Sequence, residues 1–491
     1  MLMKSPTAAA NNSVPAPQDR RLFFRTMLAG AGAAALGPQL LRSAAPSTRP
    51  VAIPGQFREP ERNLPLHEDA DVIVCGGGPA GVAAAITAAR AGARTRLIEL
   101  HGCLGGVWTA GLLTYIFDFD KPGLTRELLG RLEERDARRG TNTSRFVYEP
   151  DEMKVLLEEM CVEAGVKFHL HTRVAAAHRE GRQLGIVVTE SKSGREAWRA
   201  PVFVDATGDG DLGAQAGCGW EIGQGGDTCP CQPLTLNALA VVRDARKMGD
   251  YISFYDGDDQ MPRHVQATKK FLAEINRAGL DASYAMPTLF QVRENLLLVM
   301  LNHEYNIKAY DAVAITEATV RARAEIFRIV HALNKLGGVW EGMRVAASAE
   351  QIGVRDGRRI HGRYTVTKDD LNSGARHADA VTRPVFGVDI HAPTRADNTV
   401  QTITRGGITM RPYDMPLRAL IAKDVDGLMM AGRCISGDFV AHASYRVTGN
   451  SVAMGEAAGM VAAIAARTKR RPHEVEWNEA AEELKIRRRQ T

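Results

Sequence analysis

Three glycines stand at fixed intervals early in the chain. Gly76, Gly78 and Gly81 fill G-x-G-x-x-G directly after the apolar run Val72–Cys75, and Glu99 closes the segment. Each position meets a separate need of a diphosphate-binding turn. Gly76 permits the tight turn, Gly78 carries no Cβ where backbone N–H groups must approach a pyrophosphate, and Gly81 lets helix and strand pack closely. The N-terminus of the following helix favours the negative charge. Glu99 lies at the spacing where a carboxylate accepts hydrogen bonds from an adenosine ribose, and an acid there disfavours a 2′-phosphate and with it NADP.

Two further clusters could act on a substrate. Phe439-Val-Ala-His-Ala-Ser-Tyr-Arg446 places His442, Tyr445 and Arg446 within five residues. They supply a base that titrates near neutrality, a hydroxyl that can orient a substrate oxygen and a cation that can bind an anion. Between Ile352 and Arg363, the residues Arg355, Arg358, Arg359, His361 and Arg363 crowd one short stretch. Arg355, Arg359 and His361 are candidates to clamp carboxylate or polar oxygens. The alternative is that these arginines pair with Asp356, Asp369 and Asp370 or brace a domain junction.

The elements that must position these groups follow from the same rows. Val72–Cys75 reads as a strand buried on both faces, Ala83–Ala91 continues the helix after the glycine turn, and Arg96–Ile98 makes the second strand. Leu124–Arg135 and Glu152–Ala164 have helical periodicity, and Val166–Leu170 is strand-like. Residues 174–200 predict a small antiparallel meander with Gly181 and Gly194 at its turns. Val202–Asp211 and Gly427–Cys434 each read as an apolar strand running into a glycine turn, and Val447–Ala466 as a helix of small residues. Between them, Leu234–Val242 is strand-like, while Val265–Ala278 and Ile315–Leu336 are helical. The histidine segment 439–446 is expected as a loop between the last strand and the last helix.

Length and charge bound the class. A chain of 491 residues is enough for two or three domains, and 45% hydrophobic with 24% charged residues is ordinary globular composition. Lys4, Arg20, Arg21, Arg25 and Arg42 against Asp19 account for +4 of the formal +5, so the rest is near neutral and carries no nucleic-acid footprint. No apolar run is long enough for stable membrane insertion. The seven cysteines match no disulfide framework; Cys75 and Cys434 fit strands as small core residues, and Cys229-Pro-Cys231 is expected in a surface loop.

Asp19-Arg-Arg-Leu-Phe-Phe-Arg25 ahead of the Gly- and Ala-rich, mildly apolar stretch Thr26–Leu41 resembles the bacterial twin-arginine export signal, with Ser43-Ala-Ala45 for cleavage. That signal implies contact with the twin-arginine export machinery and a periplasmic or extracellular location, and it carries folded, cofactor-loaded proteins. The resulting division is a signal over 1–45, a Pro-rich linker over 46–68, a first nucleotide-binding part over 69–226, a substrate or cap domain over 227–400, a second nucleotide-binding part over 401–466 and a basic tail over 467–491.

Strand–GGGPAG–helix–Glu99, then Leu104-Gly-Gly-Val-Trp-Thr-Ala-Gly-Leu112, Asp205-Ala-Thr-Gly-Asp-Gly-Asp-Leu212, Gln232-Pro-Leu-Thr-Leu236, Ile352–Tyr364 and Ala431-Gly-Arg-Cys-Ile-Ser436 follow in order over residues 69–466. This set resembles the bacterial FAD-dependent oxidoreductase family. Its nucleotide-binding half is similar to the flavin subunit of heterodisulfide reductases and to glutathione-reductase-like flavoproteins.

The resemblance implies an α/β fold: a Rossmann-like FAD-binding domain with a central parallel sheet and a small β-meander, plus an inserted α+β substrate domain. It implies that Gly76, Gly78, Gly81, Glu99, Gly105, Gly106, Asp209, Gly432, Arg433, Asn450 and Ser451 line FAD. It also implies that the flavin ring faces the His442 segment, where a base takes a proton while hydride passes between a small-molecule substrate and N5, with a separate electron acceptor downstream. Alternatives are an electron-transfer flavoprotein subunit or a non-catalytic FAD-binding module. The C-x-x-C-x-x-C run of cluster-bearing relatives is absent, which argues against an iron–sulfur cluster, and no metal site is expected. Cys103 has no partner cysteine two to five residues away, which disfavours disulfide-reductase chemistry.

Overall fold

Strands with no polar face must be covered on both sides, and the apolar runs Val72–Cys75, Val202–Asp205 and Leu428–Met430 stand together in one parallel sheet. In the computed structural model, which describes residues 55, 57–225, 229–258, 260–397 and 408–488, its order is Leu428–Met430, Val202–Asp205, Val72–Cys75, Thr95–Ile98 and Lys167–His169. The register sets Val72 beside both Thr95 and Val202, and Phe203 beside Leu428. Every residue of Val72–Cys75 is shut off from solvent. Burying a Val or Ile side chain is worth about 1.5–3 kcal/mol, so this strand anchors the sheet.

Two helices of small residues cover it. Pro79–Arg90 follows the glycine turn, and Thr448–Thr468 lies against it. A Cβ at Gly455 would stand 2.2 Å from the Ala80 carbonyl oxygen, and one at Gly459 2.3 Å from that of Ala84. The glycines of the last helix thus serve helix–helix contact. Arg173–Glu180, Gln183–Ser191 and Gly194–Arg199 form the antiparallel meander, with Leu66–His67 added in parallel at its edge.

A second hydrophobic core is separate from the first. Its antiparallel sheet runs Thr288–Arg293, Leu296–Met300, Ala238–Val241, Arg344–Ser348. The helices Met261–Arg277 and Ala312–Leu336 belong to it; in the latter Ala318, Ala322, Ile326, Ile329, Val330 and Leu333 form the buried stripe. This core spans residues 234–352 with Leu112, Tyr115 and Val147, whereas Ile360, Val366, Leu371, Val388 and Ile390 join the core of the parallel sheet. The whole is an α/β nucleotide-binding fold with a small meander and an inserted α+β layer.

Residues 63–491 form one compact unit, set apart from residues 1–62. Of the latter, only residues 55 and 57–62 are described, so the export-signal segment lies outside the described residues. No described helix is long and apolar enough to cross a membrane.

Two expectations are corrected. The segment Phe439–Tyr445 is a short helix, not a loop, because Asp438 caps it: its carboxylate accepts from Ala441 N at 2.7 Å. Cys229 and Cys231 do not lie on the surface. Both are buried with Ile222 and Ala309, and their sulfurs are joined as a disulfide.

Candidate functional site

The glycine turn shows three different constraints. Gly76 has φ +99°, and a Cβ there would be 2.4 Å from the Ala206 carbonyl oxygen. At Gly81 a Cβ would fall 1.7 Å from the Gly76 carbonyl oxygen, so the helix sits directly on the strand end. At Gly78, the N-cap of the helix, φ is −69° and a Cβ would meet nothing within 4 Å. Open space beside a helix N-terminus, edged by backbone N–H groups, is the cradle a diphosphate requires.

The other candidate cofactor residues gather around this space. Gly105 N donates to Gly77 O at 2.7 Å, and a Cβ on Gly106 would lie 3.1 Å from the Gly78 Cα, so the second glycine cluster rests on the first. The Tyr148 hydroxyl, 2.9 and 2.8 Å from the carbonyls of Trp108 and Leu113, pins that loop. The buried Glu99 carboxylate accepts from Gly77 N and from His101 N at 2.7 Å. Each oxygen keeps a lone pair for a ribose hydroxyl. Gly432, with φ +85°, lies near Ala80 and Ser451.

The buried Asp205 holds the intervening Ala206–Asp211 turn. It accepts from Thr207 N, Thr207 Oγ1 and Gly213 N, and burial pushes its pKa up to about 6. In that turn Asp209 pairs with Arg433 at 2.6 Å. Burial raises the Asp209 pKa against the pull of this guanidinium.

Several polar atoms here are buried without a hydrogen-bond partner: Arg433 Nε and both amide atoms of Asn450. Such atoms are costly to leave unmet. Their number along the Gly78–Gly106–Gly432–Asn450 line fits a polar cofactor that would meet them.

Beyond that line lies a polar chamber. His442 is fully buried, and neither ring nitrogen has a hydrogen-bond partner. Burial depresses its pKa well below the ordinary value, and the Arg359, Arg446 and Arg433 guanidiniums add to this, against a weak backbone contact from Arg433. The imidazole is therefore neutral. Its Nδ1 lies 3.9 Å from Asp356 Oδ1, which in turn accepts from Arg359 Nη1 at 3.0 Å. Arg446 Nη2 donates to the Asp389 carbonyl at 2.9 Å and lies 3.4 Å from Asp389 Oδ2 and 3.3 Å from Gln232 Oε1.

The other predicted substrate residues separate. Arg355 reaches the chamber, donating through Nη1 to Pro233 O at 2.8 Å and Thr235 Oγ1 at 2.6 Å. Arg359 braces: besides Asp356 it donates to the carbonyls of Gly437 and Gly223. His361 faces a surface cleft with Glu221, Lys423 and Ser436, which Arg359 also borders from its buried side. The Tyr445 hydroxyl donates to Ile435 O at 3.1 Å, which ties it to its own turn. Sequence reasoning gave no weight to Asp389, His391, Gln232 or Tyr284. They come from three segments, around 232, 284 and 389–391, that no local spacing connects, and only the fold brings them together.

Such a site, a glycine-lined diphosphate cradle leading into a neutral buried histidine, is that of a flavoprotein built on a dinucleotide-binding fold. The chain matches the family of FAD dependent oxidoreductases over residues 71–484 and belongs to it; its cofactor is FAD. No curated protein matches the chain. Among solved structures it is similar to a geranylgeranyl bacteriochlorophyll reductase-like protein from Thermoplasma acidophilum, at 14% identity and TM-score 0.43, over 86% of this chain and 84% of that one. It is also similar to the myxobacterial chondrochloren halogenase CndH, at 14% identity and TM-score 0.43, over 86% and 79%. A third is p-nitrophenol 4-monooxygenase PnpA from Pseudomonas putida, at 14% and 0.37, over 61% and 70%. Among the described residues, no group of three or more His, Cys, Asp or Glu side chains could hold a metal ion.

Proposed function

We propose that this chain is an exported enzyme that transfers hydride between a small organic substrate and FAD, with His442 as the proton acceptor. The observation that carries the reading is the His442 imidazole, fully buried, neutral and with no well-formed hydrogen bond on either nitrogen beyond a contact with the Arg433 backbone. A structural histidine in the core normally spends its N–H on a carbonyl or carboxylate. This one makes only the Arg433 backbone contact and stands beside an acid.

Bound FAD supplies the two-electron acceptor. The chain's residues do the rest. Dehydrogenating a C–OH or C–N bond leaves a proton, and His442 takes it. Asp356, 3.9 Å from Nδ1, offsets the positive charge that then forms, and Arg359 fixes Asp356 in place. Arg446 offers Nε, which has no partner, to an anionic part of the substrate. The N-terminus of Thr448–Thr468 would stabilise negative charge developing near Asn450.

Anaerobic mixing of the purified protein with polyols, hydroxy acids, sugars and amines tests the reading. Bleaching of the flavin by one class without any partner protein supports it. Reduction only in the presence of a second protein would instead make the chain an electron-transfer subunit. Export rests on Arg20-Arg21-Leu-Phe-Phe. Changing both arginines to lysine should hold a folded, yellow protein in the cytoplasm; unchanged export would refute the twin-arginine route.

A further inference from the structure

The chamber around Arg446 holds more positive charge than its own carboxylates balance. Asp356 is matched by Arg359, both side chains being almost wholly buried. That leaves Arg355 and Arg446 facing one acid, Asp389, which lies 3.4 Å from both Arg446 Nη2 and His391 Nε2. Burial raises the pKa of Asp389, but His391, Arg446 and Arg355 together hold it below the usual carboxylate range. His391 and His303 are kept neutral, chiefly by burial, so they add no charge of either sign. The remaining acid, Glu221, 3.9 Å from Arg359, is exposed to solvent, so among the buried side chains one guanidinium is in excess, and burial with a contribution from Arg355 brings the Arg446 pKa down to about 10.

The same place holds unused hydrogen-bonding atoms. Arg446 Nε, Gln232 Nε2 and His303 Nε2 are buried with no partner. Arg355 donates through Nη1 to Pro233 O and Thr235 Oγ1. The His303 ring lies 5.1 Å from that of His391 and 4.0 Å from Tyr284, centroid to centroid. These residues come from separate segments, around 232, 284, 303, 355, 389 and 446. A buried excess cation and a set of idle N–H donors have one economical complement. A carboxylate carries one negative charge and about four acceptor sites.

We propose that the substrate is a small carboxylate, held by Arg355 and Arg446 beside the neutral His303 and His391, with its reacting carbon turned toward His442. This rests on the reading of the chamber as the substrate site. The diphosphate of the cofactor does not supply the missing charge, because its cradle is the open space at Gly78. Hydroxy acids and amino acids therefore stand ahead of sugars, polyols and simple amines.

The test uses the oxidised, FAD-loaded full chain and ligands that cannot be dehydrogenated: oxalate and malonate, against oxamide and malonamide. The acids should perturb the flavin absorbance saturably and raise the melting temperature; the amides should do neither. Arg355→Met should weaken acid binding by about 10- to 100-fold, the loss expected for one charge-assisted contact. If Arg355→Met does not fold, Arg355→Lys keeps the charge but not the fork, and should show a smaller loss of the same sign. Equal binding of acids and amides, or unchanged acid affinity in the Arg355 variant, would overturn the proposal. Because no hydride moves in this assay, its outcome does not depend on whether His442 is the proton acceptor, and failure of the histidine's role would leave this result standing.

Discussion

The glycine turn and the polar chamber are built by opposite means. At the turn, function is carried by what is missing: no Cβ at Gly76, Gly78 and Gly81, within six consecutive residues. In the chamber it is carried by side chains drawn from both hydrophobic cores and from segments more than 200 residues apart, as when Gln232 meets Arg446. A backbone-made site tolerates distant change but no local bulk. A side-chain-made site tolerates local bulk better, but depends on every segment that delivers a group.

The largest effect that would break this contrast lies inside the turn. Gly81→Val puts side-chain carbon into the Gly76 carbonyl, where the Cβ alone would stand at 1.7 Å. Strand and helix must part, and we expect a loss on the order of 4 kcal/mol or more, read as insoluble or unfolded protein. Gly78→Val, three residues earlier, meets nothing within 4 Å. It should fold, with apoprotein stability within about 1 kcal/mol of the parent, yet purify colourless. Comparing apoproteins matters, since bound FAD itself raises the melting temperature. A yellow Gly78→Val protein would show that the open space is not the diphosphate site.

In the chamber the next largest effect is His442→Ala. It should slow substrate-driven flavin reduction by about 10²–10⁴, the contribution of a positioned base, with the oxidised flavin spectrum unchanged. The depressed pKa adds a second readout. The base stays neutral across the ordinary histidine range, so the parent rate should be flat near pH 6.5 and fall only at lower pH. An acid limb centred at 6.5 would mean that the titrating group is a different, exposed histidine.

These two regions were unequally legible. The strand, turn, helix and closing acid around Gly76–Glu99 could be read directly, because a diphosphate turn is local in sequence and each glycine answers a steric demand. The parallel sheet and the meander followed from apolar runs and turn residues. The Phe439–Tyr445 helix was missed because a seven-residue helix has too few turns to show a period; its signal was the Asp438 cap. Arg359 and His361 looked alike as polar side chains two residues apart, but one is buried and locked onto Asp356 and two carbonyls while the other stands half-exposed in the surface cleft that both border. The buried Cys229–Cys231 pair could not be foreseen, since its burial depends on Ile222 and Ala309.

A smaller effect sharpens the comparison at the turn. Glu99 offers its carboxylate to Gly77 N and His101 N as well as to a ribose. Glu99→Ala should therefore weaken FAD by about 1.5–3 kcal/mol per lost charge-assisted bond, measured by fluorescence titration of the apoprotein. It should also loosen the loop that Gly77 anchors. Glu99→Gln keeps one acceptor and should fall between the two. Equal FAD affinity in all three proteins would remove Glu99 from the site.

The smallest effect concerns an acid that neither region uses. Glu456 lies buried in the helix of small residues, pairs with Arg488 Nη2 at 3.3 Å, and stands at the start of Leu124–Glu134, where it accepts from Leu124 N. Burial pushes its pKa up to about 7 from an ordinary 4.5, against the pull of Arg488 and that N–H. A folded-state pKa above the unfolded one means that the folded chain holds the extra proton between pH 4.5 and 7. Stability from this group is thus present at low pH and lost as pH rises through that window, by at most about 3 kcal/mol. The depressed histidines His303, His391 and His442 act in the opposite sense, losing stability as pH falls below 6.5. The parent's pH profile mixes the two. The difference between Glu456→Gln and the parent isolates the acid, because the glutamine does not titrate and the histidines cancel. The variant's melting temperature, relative to the parent, should climb by a few degrees between pH 5 and pH 8. A difference that stays constant across that range would mean that Glu456 is already ionised in the folded chain, with Arg488 rather than a proton balancing its charge.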